Sequence, residues 1–185
     1  VINALTTGDN AAAGVVLREE KCLGFVNLRL NADDSAGLAA AKKALGTALP
    51  ALNTVSSNDK VSVLGFSPSE WLIITANGGE TALISTLTAA LADTHSLVCD
   101  VTGGTTKLNV SGKNAQDLLE KGTYVDLHDS VFKPGMLYAT QIAHAPAVII
   151  KNGSNDFTLI VRRSFSDHIA RWAVDGAAEF GLSFH

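Results

Sequence analysis

From residue 22 to 30 apolar side chains dominate, with Asn27 and Arg29 alternating against Val26, Leu28 and Leu30. That period of two predicts a strand. Asp33-Asp34-Ser35 supplies N-cap chemistry, after which Leu38, Ala41, Leu45, Ala48 and Leu52 recur at helical spacing, with Pro50 marking where regular helix stops. Residues 60–66 and 70–76 read as two strands of a hairpin, joined through Ser67-Pro68-Ser69, where the proline presets φ for a tight turn. Asn77-Gly78-Gly79 ends the second strand. Leu83, Ile84, Leu87, Ala90 and Leu91 then trace one face of a helix, and residues 96–101 form a further strand.

This order, β-α-β-β-α-β over residues 22–101, is the split βαβ arrangement of ferredoxin-like domains. A second set follows. Gly103-Gly104 turns the chain into a strand from Thr106 to Val110, and Gly112 leads into a short helix carrying Ala115, Leu118 and Leu119. Gly122 is expected at its C′ position, where φ > 0 is free of penalty for glycine. Residues 123–134 have no period and read as a loop. Strands are expected over 136–142, 147–151 and 157–161, the last two joined by an Asn152-Gly153 turn. Ser164 with Asp167 three residues on resembles a capping box for a final helix whose inner stripe is Phe165, Ile169, Trp172, Gly176, Ala177 and Phe180. Both tryptophans read as core anchors. Residues 1–21, small and polar apart from Val15, Val16 and Leu17, are expected to be an N-terminal extension. The fold class is therefore α+β: a ferredoxin-like βαββαβ subdomain (22–101), then a second subdomain (102–185) built as a mixed antiparallel sheet with helices. No linker rich in proline or charge separates the two, so the second is expected to pack on the first.

Composition narrows the function classes. Of 185 residues, 14 are Lys or Arg and 18 are Asp or Glu, giving a net charge of -4. The cations are dispersed, which argues against nucleic acid as a partner. No run of about 18 apolar residues predicts a membrane span. Only 17% of residues are charged, below the ~25% usual for soluble domains. So thin a polar coat suggests that a partner covers part of the surface. Cys22 and Cys99 form no CxxC pair, so neither a zinc site nor a disulfide framework is expected, and Cys99, in the run Leu97-Val98-Cys99, reads as a buried small hydrophobe. With no leader pattern, a reducing cytoplasm is the expected location.

Catalytic patterns are scarce. Gly65-Phe66-Ser67-Pro68-Ser69 lacks the second glycine of a nucleophile elbow and sits in a hairpin. Gly103-Gly104-Thr105-Thr106-Lys107 is followed by a strand rather than the helix a phosphate loop needs, and no GxGxxG follows a strand. Among the histidines, His95 is expected exposed at a helix-to-strand corner, His168 facing solvent or pairing with an acid, His144 in a structural hydrogen bond and His185 terminal. His128, within Asp126-Leu127-His128-Asp129, has the chemistry to ligate a metal or shuttle a proton. A loop this polar more often ties itself down by side-chain hydrogen bonds. Arg162-Arg163 either holds an anion or a partner subunit's carboxylate, or is simply a pair of strand-end cations.

The motifs Leu118-Leu119-Glu120-Lys121-Gly122, Asp126-Leu127-His128, Phe132, Gly135 and Ala143-His144 resemble the γ subunit of heterotetrameric sarcosine oxidase. Arg163-Ser164-Phe165 with Trp172 and Ala177-Ala178-Glu179-Phe180-Gly181 is similar to the same family, as are Leu64-Gly65, Pro68, Glu70-Trp71-Leu72, Asp100-Val101-Thr102, Leu108 and Gly112. The resemblance is good over about residues 61–181 and departs at Gly103-Gly104, where a more polar turn is expected. It implies a fold like the folate-binding domain of aminomethyltransferases. It also implies a complex that oxidatively demethylates sarcosine to glycine, reduces oxygen to hydrogen peroxide and passes the one-carbon unit to tetrahydrofolate. FAD, FMN, NAD and folate are then expected in the α and β subunits and zinc in the δ subunit. The resemblance implies that this chain carries none of them and no catalytic residue, and that it packs on the folate-binding region of α. Asp126, His128, Arg162 and Arg163 remain as interface or polar-loop residues. An equivalent subunit of an N-methyl amino acid dehydrogenase, or a folate-dependent aminomethyltransferase fragment using Asp126 or His128, are the alternatives.

Overall fold

A computed structural model describes residues 13–185. Its first strand lies where the sequence predicts only an extension. Val15–Glu20 (β1) alternates buried and open positions, with Val15, Leu17 and Glu19 turned inward. The Arg18-Glu19-Glu20 run hides this period, because one of the inward positions is a glutamate. What makes the segment a strand is pairing from both sides, which no local propensity announces. The remainder of the expected extension, residues 1–12, lies outside the described residues.

The chain divides into two units, one comprising Cys22–Gly103 and the other Gly104–His185 together with the segment ending at Lys21. In the first, Leu23–Leu30 (β2), Ser35–Leu45 (α1), Val55–Ser57 (β3), Val61–Ser67 (β4), Glu70–Ala76 (β5), Gly79–Ala90 (α2) and Ser96–Asp100 (β6) follow one another. The sheet order is β3-β4-β5-β2-β6 with every pair antiparallel. Setting aside the short edge strand β3, which the sequence does not announce, this is the ferredoxin-like order. Val26, Leu28, Val63, Trp71 and Ile73 from the sheet meet Ala41 and Leu45 of α1, Leu87 of α2 and Leu91 just past it. Asp34 caps α1 by accepting from the Gly37 amide at 2.8 Å. The helix ends earlier than its spacing suggests, because Gly46 takes φ 66 and returns its amide to Lys42. Residues 48–52 instead wrap the hairpin, where the Trp71 indole donates to the Pro50 carbonyl at 2.9 Å. Cys99 is exposed, contrary to expectation. It sits on edge strand β6 opposite Asn27, on the face away from that core.

The second unit adds Thr105–Ser111 (β7), Ala115–Glu120 (α3), Leu137–Ile142 (β8), Ala145–Gly153 (β9), Asp156–Arg162 (β10), Ser166–Gly176 (α4) and Leu182–Phe184 (β11). Its sheet runs β11-β1-β7-β10-β9-β8, with β1 and β11 parallel and the other pairs antiparallel. Leu17, Leu108, Val110, Phe157 and Leu159 of the sheet pack with Leu118, Leu119, Ile169 and Ala173 of the helices. Two expected start signals are displaced. The β9–β10 turn falls on Ser154-Asn155, not Asn152-Gly153, and Asn152 instead donates to Asp156 at 3.1 Å and to Thr158 at 3.0 Å. A 3-10 turn, Arg163–Phe165, precedes α4, so the helix begins at Ser166, whose hydroxyl donates to the Arg163 carbonyl at 2.7 Å. Phe165 is consequently 38% exposed rather than inside.

The β8–β9 connection has only Ala143 and His144 between paired residues, with φ 50 and 66. Two positive φ values define a type I′ turn, which favours Asn-Gly. Ala143→Asn with His144→Gly is expected to raise stability by about 1–2 kcal/mol, because left-handed backbone costs non-glycine residues roughly that much. The melting temperature should rise by several degrees; a decrease would contradict this account of the turn.

Candidate functional site

The loop over residues 123–134 carries Asp126 and His128 and is tied down by its own side chains. The Asp126 carboxylate accepts from the His128 amide at 2.9 Å. His128 Nδ1 accepts from the Ser130 amide at 3.2 Å and lies 2.8 Å from its hydroxyl. The amides of Val131 and Phe132 return to the His128 carbonyl. This is the self-bracing arrangement expected of short polar side chains in a turn. Among the described residues no group of three or more His, Cys, Asp or Glu gathers where a metal ion would sit.

Beneath the loop lies Lys151, which sequence reading passes over as the end of a strand. It pairs with Phe157 and points to the same face as the buried Ala145, Ala147 and Ile149, and it is 0% exposed. Its ammonium donates to the Leu127 carbonyl at 2.9 Å, forms an ion pair with Asp129, and stands 5.4 Å from the Phe157 ring and 5.8 Å from the Phe132 ring. A buried ammonium is tolerated only when paired and bonded in this way. The signal was available: 145, 147, 149 and 151 share one face of β9, and Lys151 continues an inward apolar series.

Asp129 also accepts from the Ser154 hydroxyl at 2.9 Å. The hydrogen bond from Lys151, then that from Ser154, holds its carboxyl below the ordinary aspartate value. A depressed carboxylate adds stability that is complete above the ordinary value of 3.8, declines as pH falls below it and is gone below the folded value. Urea midpoints measured from pH 6 downward should therefore fall less steeply in Asp129→Asn than in the parent chain. Identical acid limbs would contradict this role.

Arg162 and Arg163 are exposed at the other end of β10. Phe157 pairs with Lys151, and Arg162 is five residues further along, roughly 17 Å at ~3.3 Å per residue. The structure therefore brings Asp126, His128 and Asp129 together over Lys151 and leaves the arginine pair apart. His95 and His168 are exposed as expected, the His168 ring lying 2.8 Å from the Ala143 carbonyl, whereas His144, expected in a structural hydrogen bond, is exposed in the β8–β9 turn. In the Cys22–Gly103 unit a cleft of about 390 Å³ opens between α1 and residues 48–52, lined by Leu38, Leu49, Leu52, Pro68 and Trp71 with Lys42 its one charged group. No helix among the described residues is long and apolar enough to cross a membrane.

Residues 29–179 match the sarcosine oxidase, gamma subunit family. The chain is 32% identical over 179 residues to sarcosine oxidase subunit gamma of Corynebacterium sp. (strain P-1), spanning 96% of this chain and 86% of that one. Its fold superposes with a TM-score of 0.84 and 29% identity on a chain of the heterotetrameric sarcosine oxidase from Corynebacterium sp. U-96 solved with pyrrole 2-carboxylate, covering 92% of this chain and 87% of that chain. The glycine cleavage system aminomethyltransferase T of Bartonella henselae shares the fold at 10% identity and TM-score 0.67, covering 93% of this chain and 48% of that one. The likeness thus reaches well before residue 61, where motif reading alone fades. With matches of this extent in both sequence and fold, the chain belongs to the sarcosine oxidase gamma subunit family.

Proposed function

We propose that the chain acts as a structural subunit, packing on the folate-binding region of an α subunit in an assembly with β and δ subunits. The assembly oxidises sarcosine to glycine, forms hydrogen peroxide and delivers the one-carbon unit to tetrahydrofolate. FAD, FMN, NAD, zinc and folate sit in the other subunits. The observation that carries this reading is the match to a chain of a heterotetrameric sarcosine oxidase over nine-tenths of the length. The chemistry of the chain supports it. Asp126 and His128 are engaged in bracing their own loop and Asp129 in tying it to Lys151 and Ser154, and the cleft beside α1 offers Lys42 as its one charged group. With their polar atoms committed in this way, Asp126, His128 and Asp129 suit a supporting role in the loop better than ligation of a cofactor. The 123–134 loop, with Tyr124 83% and Val131 48% exposed, is the contact element, and Arg162-Arg163 a second. The two exposed free thiols suit a reducing cytoplasm.

The test is to co-express the chain with the other three subunits, then omit it. Omission should prevent recovery of an intact flavin-containing complex that consumes oxygen with sarcosine, while the chain alone should bind neither flavin nor tetrahydrofolate. An intact, active complex formed without the chain would overturn the reading. Folate binding by the chain alone, lost in Asp126→Ala, would replace it with an aminomethyltransferase-type activity.

A further inference from the structure

We propose that Lys151 is a positioning residue for contact with the α subunit of the proposed assembly, its buried ammonium holding residues 123–134 in the shape that docks. This rests on the reading of that loop as a contact element. A lysine with no exposure, on a face otherwise filled by Ala145, Ala147 and Ile149, is not needed to fill the core. An aliphatic side chain would fill the same space without desolvating a charge. The reason for a lysine therefore lies in what its ammonium touches, and both its polar contacts, the Leu127 carbonyl and the Asp129 carboxylate, belong to the loop. The Phe132 ring beside it comes from the loop as well. The backbone of Lys151 secures the segment just past the loop, donating to the Met136 carbonyl at 3.0 Å and accepting from the Gly135 amide at 2.8 Å.

One residue thus clamps the middle of the loop with its side chain and the segment that follows it with its main chain. The clamped segment presents Tyr124 and Val131 outward, two of the six large apolar side chains exposed among the described residues. Holding such groups in place before contact reduces the ordering cost of association, which is the usual advantage of a braced recognition loop. Lys151→Met removes the clamp but keeps the volume. The Leu127 carbonyl then loses its donor and must find water, which lifts the loop.

The experiment compares parent, Lys151→Met, Asp129→Asn and the double variant as full chains and with the other three subunits. Three quantities are read: amide exchange of peptides covering 123–134, the melting temperature, and affinity for the remaining subunits. Lys151→Met should exchange at least tenfold faster in the loop and associate at least tenfold more weakly, with a melting temperature unchanged or higher. Asp129→Asn should move both readouts in the same direction, and the double variant should add little to Lys151→Met. If either single variant does not fold, the double variant, which removes the buried charge and its counter-ion together, carries the comparison with the parent. Parent-like loop exchange overturns the positioning role. Fast exchange with parent-like affinity overturns the proposal by removing the loop from the contact. Failure of the parent chain itself to associate overturns the functional reading instead.

Discussion

Phe132→Ala is expected to destabilise the Gly104–His185 unit by about 3–5 kcal/mol, the range for deleting a buried aromatic. The ring is 0% exposed, its centroid is 5.2 Å from that of Tyr138, and it flanks the Lys151 ammonium. Truncation leaves a cavity and withdraws one aromatic wall from a buried charge, so two costs arise at one site. Phe132→Leu, which keeps most of the volume, should cost far less. Urea unfolding of the parent and both variants measures this; a loss below about 1 kcal/mol for the alanine variant would contradict the packing described.

Gly122→Ala is expected to cost about 2–3 kcal/mol by overpacking. A Cβ at Gly122 would stand 2.9 Å from Cε2 of Trp172 and closer still to Cζ2, against a rigid ring that cannot bend away. Trp172→Phe removes the indole's fused ring system, so Gly122→Ala should be much less damaging in that background. Urea midpoints of the four chains form a double-mutant cycle. Additive losses would show that the ring does not set the limit at Gly122.

Gly122 also illustrates how the sequence misleads about cause. It stands where a helix ends, and φ > 0 is the natural reading, yet it is not among the glycines with positive φ. Its partner, Trp172, lies 50 positions away, and no local pattern announces a close approach across the fold. The same limit explains β1, which strands distant in sequence make into a strand, and Lys151, whose partners come from a loop without period. By contrast, β2 was legible because burial from Val26 to Leu30 follows a period of two, and α2 because Leu83, Ile84, Leu87 and Leu91 meet the core at helical spacing, whereas the stripe expected on α4 is fully buried only at Ile169 and Ala177. Asp34 was legible as a cap because its bond is local. Of the site, the self-bracing of Asp126 and His128 could be read, since those bonds span two residues. The separation of Arg162 and Arg163 from them could not, because it depends on strand register.

The thin polar coat, only 17% charged residues, acquires its meaning from membership in the family of a heterotetrameric enzyme's gamma subunit. The central claim is that this chain works by assembly. Native mass spectrometry of the four co-expressed subunits tests it most directly. The account predicts a complex holding the chain in equimolar ratio with each of the other subunits, and a Tyr124→Ala, Val131→Ala chain that folds but is missing from it. A flavin-containing, sarcosine-oxidising complex that excludes the parent chain would contradict the account.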